Sequence, residues 1–326
     1  MERPITLTEI QEAKHRISTI AYRTPLYYSP SLSALTNAEV YLKLESFQPI
    51  RVFKIRGAAN KILKLSHKER ERGFVAASSG NHGLAVAYVA NSIHSNATIV
   101  VPTTAVDEKV RAIKEYKAEV VKHGLFHDER MSKALEIQKA NGAIFVHPFD
   151  DPDIIAGQGT IGLEIVEDLP DVNTVIVPIG GGGLISGIAT AIKSLKPAAR
   201  VIGVEPERAS SMQQSILTGK ITKLDDTRSI ADGLATREPG LLTFAIARTL
   251  VDGILLVTEQ EIEKAVFTVF HDCHIVIEPS AAAAVAALFK TKFRETEKVV
   301  VVVSGGNISI KILSQVLSKY GQNPKP

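Results

Sequence analysis

Short β-branched apolar runs alternate with amphipathic stretches nearly from end to end of the chain. The runs predict strands at Val40–Leu44, Phe74–Ala77, Ala97–Val101, Glu119–Lys122, Ala143–Val146, Thr174–Val177, Val201–Val204, Ile254–Val257 and Val299–Val303. Most are apolar over a whole strand's length, as in parallel strands covered on both faces. The stretches between them read as helices. Thr8 with Gln11, and Thr258 with Glu261, have the spacing of a capping box, in which two orphan backbone donors are satisfied reciprocally. The charged run His67 to Arg72 fits a solvated helix end ahead of a strand. Alternation of this kind predicts an α/β protein with open parallel sheets.

Composition breaks at SHKERERG near residue 70 and at HPFDDPD near residue 150, with four strand–helix units between them. The expected organisation is a large domain made of residues 1–66 and 152–326, with a small domain of residues 76–150 inserted into it. There is no internal repeat, low-complexity tract or long linker.

The chain has 326 residues, 45% of them hydrophobic, enough for a packed core and incompatible with disorder. A single thiol, Cys273, excludes a disulfide scaffold and a thiolate zinc site. The net charge of +3, from 38 basic and 35 acidic residues, gives no basic stripe for a nucleic-acid partner. The longest strongly apolar run, Val299–Val303, is far short of the roughly 20 residues of a membrane span. The start, MERPITLTEI, carries an acid and no long apolar stretch, so no signal peptide is expected and a cytoplasmic location is.

Four elements carry candidate chemistry, each at a strand-to-helix junction, where open parallel sheets bind ligands. Strand Thr174–Val177 runs into Gly180, Gly181, Gly182 and Gly183 and then a helix. Successive inward N–H groups and a helix N-terminus make an anion cradle suited to phosphate. After Phe74–Ala77 come Ser78, Ser79, Gly80, Asn81, His82 and Gly83, whose hydroxyls, amide and free helix N–H groups form a seat for a carboxylate. Val299–Val303 ends in Ser304, Gly305, Gly306 and Asn307, putting a hydroxyl at the same sheet edge. Lys54 lies between Phe53 and Ile55 at a helix start, in surroundings that favour the neutral, nucleophilic amine. A phosphorylated aldehyde cofactor that condenses with amino acids needs all four. A nicotinamide dehydrogenase competes for the glycine loop, with Glu205 about 20 residues downstream, but its third glycine position holds Ile185 or Ser186.

In this order the motifs FKIRGA, SSGNHG, AGQGT, GGGGL, VEPE, IADG, IEPSAA and SGGN resemble the fold-type II pyridoxal-phosphate enzymes, in the branch of threonine dehydratase and serine racemase. The resemblance implies two open parallel-sheet domains of the tryptophan synthase beta-like kind. It implies that Lys54 holds pyridoxal 5'-phosphate as a Schiff base and exchanges protons at the substrate α-carbon. Gly180, Gly181, Gly182, Gly183 and Leu184 would bind the phosphate. Asn81 would bond the ring hydroxyl, Phe53 would pack on the ring, Ser304 would meet the ring nitrogen and Gly233 would lie beside the cofactor. Ser78, Ser79, Asn81 and His82 would hold the substrate, with Thr236 and Arg130 nearby.

A hydroxyl at the ring nitrogen makes the ring a weaker electron sink than an aspartate would, which favours prompt loss of a β-substituent. The implied reaction is dehydration and deamination of L-threonine and L-serine to a 2-oxo acid and ammonia. Racemisation needs a second acid–base, and Ser79 resembles that residue of the racemases. A cysteine synthase or a catalytically dead relative fits the motifs less well. A small amino-acid substrate and a homo-oligomer, dimer or tetramer, are implied too.

The chain departs from the family pattern at three places. TGSFK is replaced by Ile50, Arg51, Val52, Phe53 and Lys54. Arg51 is expected to turn to solvent; the other reading has it select an acidic substrate such as 3-hydroxyaspartate. At the metal site of the racemases Glu205 and the Ala209 carbonyl match, but Ser211 replaces an aspartate, so weak magnesium or calcium dependence at most is expected. His271, Cys273 and His274 are read as structural. The chain ends at NPKP, and regulation through an added C-terminal domain is not expected.

Overall fold

A computed structural model describes residues 5–78, 80–125 and 127–321. Ten strands form two sheets. The larger has the order β1-β2-β10-β7-β8-β9, with β1 Leu26–Tyr28, β2 Glu39–Leu44, β7 Thr174–Pro178, β8 Arg200–Pro206, β9 Gly253–Val257 and β10 Lys298–Val303. The smaller has the order β5-β4-β3-β6, with β3 Phe74–Ala77, β4 Ala97–Val101, β5 Glu119–Lys122 and β6 Ile144–Phe145. All the pairings are parallel except that of β1 with β2. The nine expected strands are all present, within one or two residues at each end. β1 was not expected, because three residues with an exposed flank carry no apolar run, and only pairing to the edge of β2 makes them a strand.

The first capping box sits elsewhere than expected. Helix Leu7–Ile17 is capped by Thr6 and Glu9, whose carboxylate accepts the Thr6 N–H at 2.9 Å, while Thr8 and Gln11 lie inside the helix. A carboxylate in the first turn meets the positive end of the helix dipole, which the Gln11 amide would not. Thr258 and Glu261 form the box the sequence predicts. The charged stretch folds as helix His67–Arg70, with no buried residue.

Helices Pro152–Asp168 and Gly183–Leu195 are buried over most of their length, as their apolar composition on every side requires. Helix Lys54–Lys64 lies on the first of them. A Cβ on Gly157 would stand 2.6 Å from the Arg56 carbonyl oxygen, so these two helices touch backbone to backbone. Beneath that contact lies a buried ionic cluster. Arg56 meets both oxygens of Glu45 at 2.7 and 2.8 Å and both oxygens of Glu164 at 2.6 and 2.9 Å, and Lys43 closes on Glu164 at 2.6 Å. The cluster ties β2 and both helices together two residues from Lys54. Among the described residues no helix is long and apolar enough to cross a membrane.

Candidate active site

Carboxyl ends of strands from both sheets open on one cavity of about 1270 Å³. Its lining includes Phe53, Lys54, Ser78, Asn81, His82, Arg130, Gly180 to Leu184, Gly233, Thr236 and Ser304. Of the expected cofactor and substrate residues, Ser79 lies outside the described residues; the others all reach this one space. The reason is topological: parallel strands release their following loops on one side.

The lysine and the Ser304 motif are joined by backbone. Phe53 N–H donates to the Ser304 carbonyl at 3.0 Å, Gly306 N–H donates to the Arg51 carbonyl at 2.9 Å, and Val52 forms a bridge with Gly305. This stitching sets Lys54 as the first residue of its helix, with Nζ 5.1 Å from the centre of the Phe53 ring. The amine donates to the Pro148 carbonyl at 2.7 Å. Its surface is partly open to the cavity, but protein encloses the ammonium. Lost hydration brings its pKa down to about 8, against the pull of the Glu278 charge. An amine so placed is neutral far more often than a surface lysine.

The glycine loop after β7 faces the segment after β6. A Cβ on Gly181 would lie 2.3 Å from the Phe149 ring, so only glycine allows that approach. The loop is held from behind by Thr243, whose hydroxyl donates to the Gly181 carbonyl at 2.7 Å. Asp150 in turn accepts the N–H groups of Leu241, Leu242 and Thr243 at the start of helix Leu241–Leu250. The N–H groups of Gly181, Gly182, Gly183 and Leu184 have no acceptor among the described residues, although all four residues are buried. Four converging donors at the start of helix Gly183–Leu195 have the chemistry of a phosphate cradle, and the residues fit the cofactor's phosphate on that ground.

On the small-sheet side, Ser78 follows β3 and its hydroxyl accepts the Gly80 N–H at 3.2 Å. Helix Asn81–Ser92 starts there without a side-chain cap, leaving its first N–H groups open to an anion. The His82 imidazole does not take the part expected of it. Burial, with the Lys54 charge nearby, lowers its pKa to about 3, and Nε2 is 2.9 Å from the Val146 carbonyl. A neutral ring that donates from Nε2 has no second N–H to offer, so His82 can serve a carboxylate only through its backbone. Arg130 bonds the Leu125 carbonyl at 3.1 Å; its Nε has no partner among the described residues, and burial lowers its pKa.

Glu278, Asn307 and the Pro148 carbonyl are parts of the site that the sequence reading left unassigned. Glu278 is buried, and Asn81 Nδ2 lies 2.9 and 3.0 Å from its two oxygens. Burial raises this carboxyl to about 7, while the Asn81 amide pulls it back. Its one sequence signal was a glutamate in IEPSAA directly before a helix-starting proline.

Glu205 has another employment. Its oxygens accept the N–H groups of Met212 and Gln213, each at 2.9 Å, and burial pushes it up to about 8. It is thereby spent on a helix start and closed to a ribose, which removes the feature that favoured a nicotinamide dinucleotide. Ala209 is buried too, and among the described residues no group of three or more His, Cys, Asp or Glu is placed to hold a metal.

A family profile described as pyridoxal-phosphate dependent enzyme matches residues 17–305. The L-threonine ammonia-lyase of Thermotoga maritima is 45% identical over 315 residues, covering 97% of this chain and 79% of that protein. The catabolic L-threonine dehydratase TdcB of Escherichia coli K12 is 44% identical over 316 residues, 96% of each chain. Among solved structures, maize serine racemase superposes with a TM-score of 0.93 at 36% identity, covering 99% of both chains.

Proposed function

Because the chain belongs to the pyridoxal-phosphate-dependent enzyme family, we propose that it converts L-threonine, and with it L-serine, to a 2-oxo acid and ammonia. The observation that carries this reading is the lysine of lowered pKa in one cavity with a cradle of unpartnered amides. When bound, pyridoxal phosphate supplies the electron sink that lets a proton leave the substrate α-carbon and a hydroxyl leave its β-carbon.

The chain's own residues do the rest. The amides of Gly181 to Leu184 would hold the phosphate, Phe53 would pack on the ring, Ser304 would meet the ring nitrogen and Asn81 would donate to the ring oxygen. Ser78 and the open N–H groups at the start of helix Asn81–Ser92 hold the substrate carboxylate. Lys54, whose lowered pKa makes the neutral amine accessible, takes the proton from the substrate α-carbon through Nζ. The Pro148 carbonyl accepts a hydrogen bond from that amine and orients it.

The deciding assay offers L-threonine, L-serine and L-threo-3-hydroxyaspartate separately to cofactor-loaded protein and measures 2-oxo acid. Release from threonine is expected. Formation of D-serine without 2-oxo acid would instead make the protein a racemase, and silence on every substrate with cofactor bound would sink the reading. The phosphate cradle has its own test. Gly181→Ala must displace Phe149, and cofactor affinity is expected to fall roughly tenfold in titrations of the apo-protein. An unchanged affinity would take the phosphate away from this loop.

A further inference from the structure

Arg51 occupies a left-handed backbone position, with φ of 58°, at the rim of the cavity. Side chains other than glycine, asparagine and aspartate rarely adopt that conformation, and strain of this kind persists where the structure over-determines it. The side chain is exposed, yet it is tied: Nε donates to Asn307 Oδ1 at 3.0 Å. Asn307 Nδ2 donates to Asn81 Oδ1 at 2.9 Å and to the Ile50 carbonyl at 3.1 Å. Asn81 Nδ2 donates to the Glu278 carboxyl. We propose that Arg51 is a positioning residue for the cofactor, fixing the Asn81 amide through Asn307.

A guanidinium only donates and a backbone carbonyl only accepts, so Arg51 and Ile50 together allow Asn307 one amide orientation. That orientation turns Nδ2 towards Asn81, which must answer with Oδ1. Its own Nδ2 is then directed to Glu278, whose buried carboxyl needs donors. Every donor along the relay points the same way, from an exposed cation to a buried acid, and a relay so polarised strengthens each bond in it. The Asn81 amide nitrogen carries two hydrogens, so with one turned to Glu278 the other is left to donate, the part the cofactor's ring oxygen requires. The inference rests on the proposed cofactor reading.

The test compares wild type, Arg51→Gly, Asn307→Ala and the double variant as apo-proteins, titrated with pyridoxal phosphate and followed by absorbance. Glycine suits a φ of 58°, so Arg51→Gly is expected to melt at or above the wild-type temperature while binding about fivefold more weakly. Asn307→Ala is expected to lose at least as much, and the double variant no more than Asn307→Ala alone, because both act on one relay. Arg51→Lys, which still donates, is expected to recover part of the loss. Binding by Arg51→Gly within twofold of wild type, or losses that add, would overturn the relay. So would unchanged affinity with a selective loss of 3-hydroxyaspartate turnover, which would assign the guanidinium to the substrate. Wild-type protein that takes up no cofactor would overturn the cofactor reading itself and this inference with it.

Discussion

Replacing Lys54 with alanine is expected to lower 2-oxo acid release about a thousandfold or more, because in the proposed reaction one amine serves both as the cofactor's attachment and as the base at the substrate α-carbon. The physical basis is the pKa of about 8, brought down by lost hydration, which makes the neutral amine far more accessible than that of a surface lysine. The same fact separates the catalytic loss from a folding defect. An ammonium deprived of water is a burden to the fold, and among the described residues Nζ makes a single hydrogen bond, to Pro148. Lys54→Ala is therefore expected to unfold at or slightly above the wild-type temperature. Borohydride treatment followed by denaturation should leave cofactor on the wild-type chain and none on the variant. A variant that keeps more than a tenth of the activity would remove Lys54 from the mechanism.

The second large effect is one of stability. Arg56→Ala is expected to cost about 3–5 kcal/mol, read as a fall in the midpoint of urea unfolding, because it removes one partner of a buried ion cluster. Arg56 is 1% exposed, and Glu45 and Glu164 beside it are 0% and 3% exposed. Without the guanidinium, Glu45 keeps only the Thr24 hydroxyl and the Gln48 amide, and Glu164 leans on Lys43. The charge of Arg56 now holds the Glu164 carboxyl below its ordinary value despite burial, and that support would be lost. Lysine cannot repair the site, since a single ammonium cannot meet two carboxylates along their planes. A loss under 1 kcal/mol would mean that water or Lys43 takes over the charge.

Much of the molecule was legible along the chain for local reasons. Val299–Val303 had to be a covered strand, because five consecutive valines fit a pleated sheet with no exposed face. Thr258 and Glu261 cap their helix because reciprocal capping needs only residues three apart. Lys54 and the glycines at 180–183 were legible because each motif carries its chemistry within a few residues. Strand Leu26–Tyr28 was not, since it owes its form to a neighbour. Thr6 displaced Thr8 as a cap because the charge of Glu9 outweighs an equal spacing.

The sequence by itself determined the succession of strands and helices, the glycine loop and the presence of a lysine at a helix start. The tertiary structure decided what state those groups are in. Lys54 has its pKa brought down by enclosure that includes Pro148, 94 positions away, and Asn81 finds Glu278 across 197 positions. His82 became a neutral donor to a carbonyl and Glu205 a helix cap, though as letters they promised a carboxylate partner and a metal or ribose ligand. Protonation and hydrogen-bond direction follow from lost water and from the partner that folding brings near, and neither is written in the residues beside them.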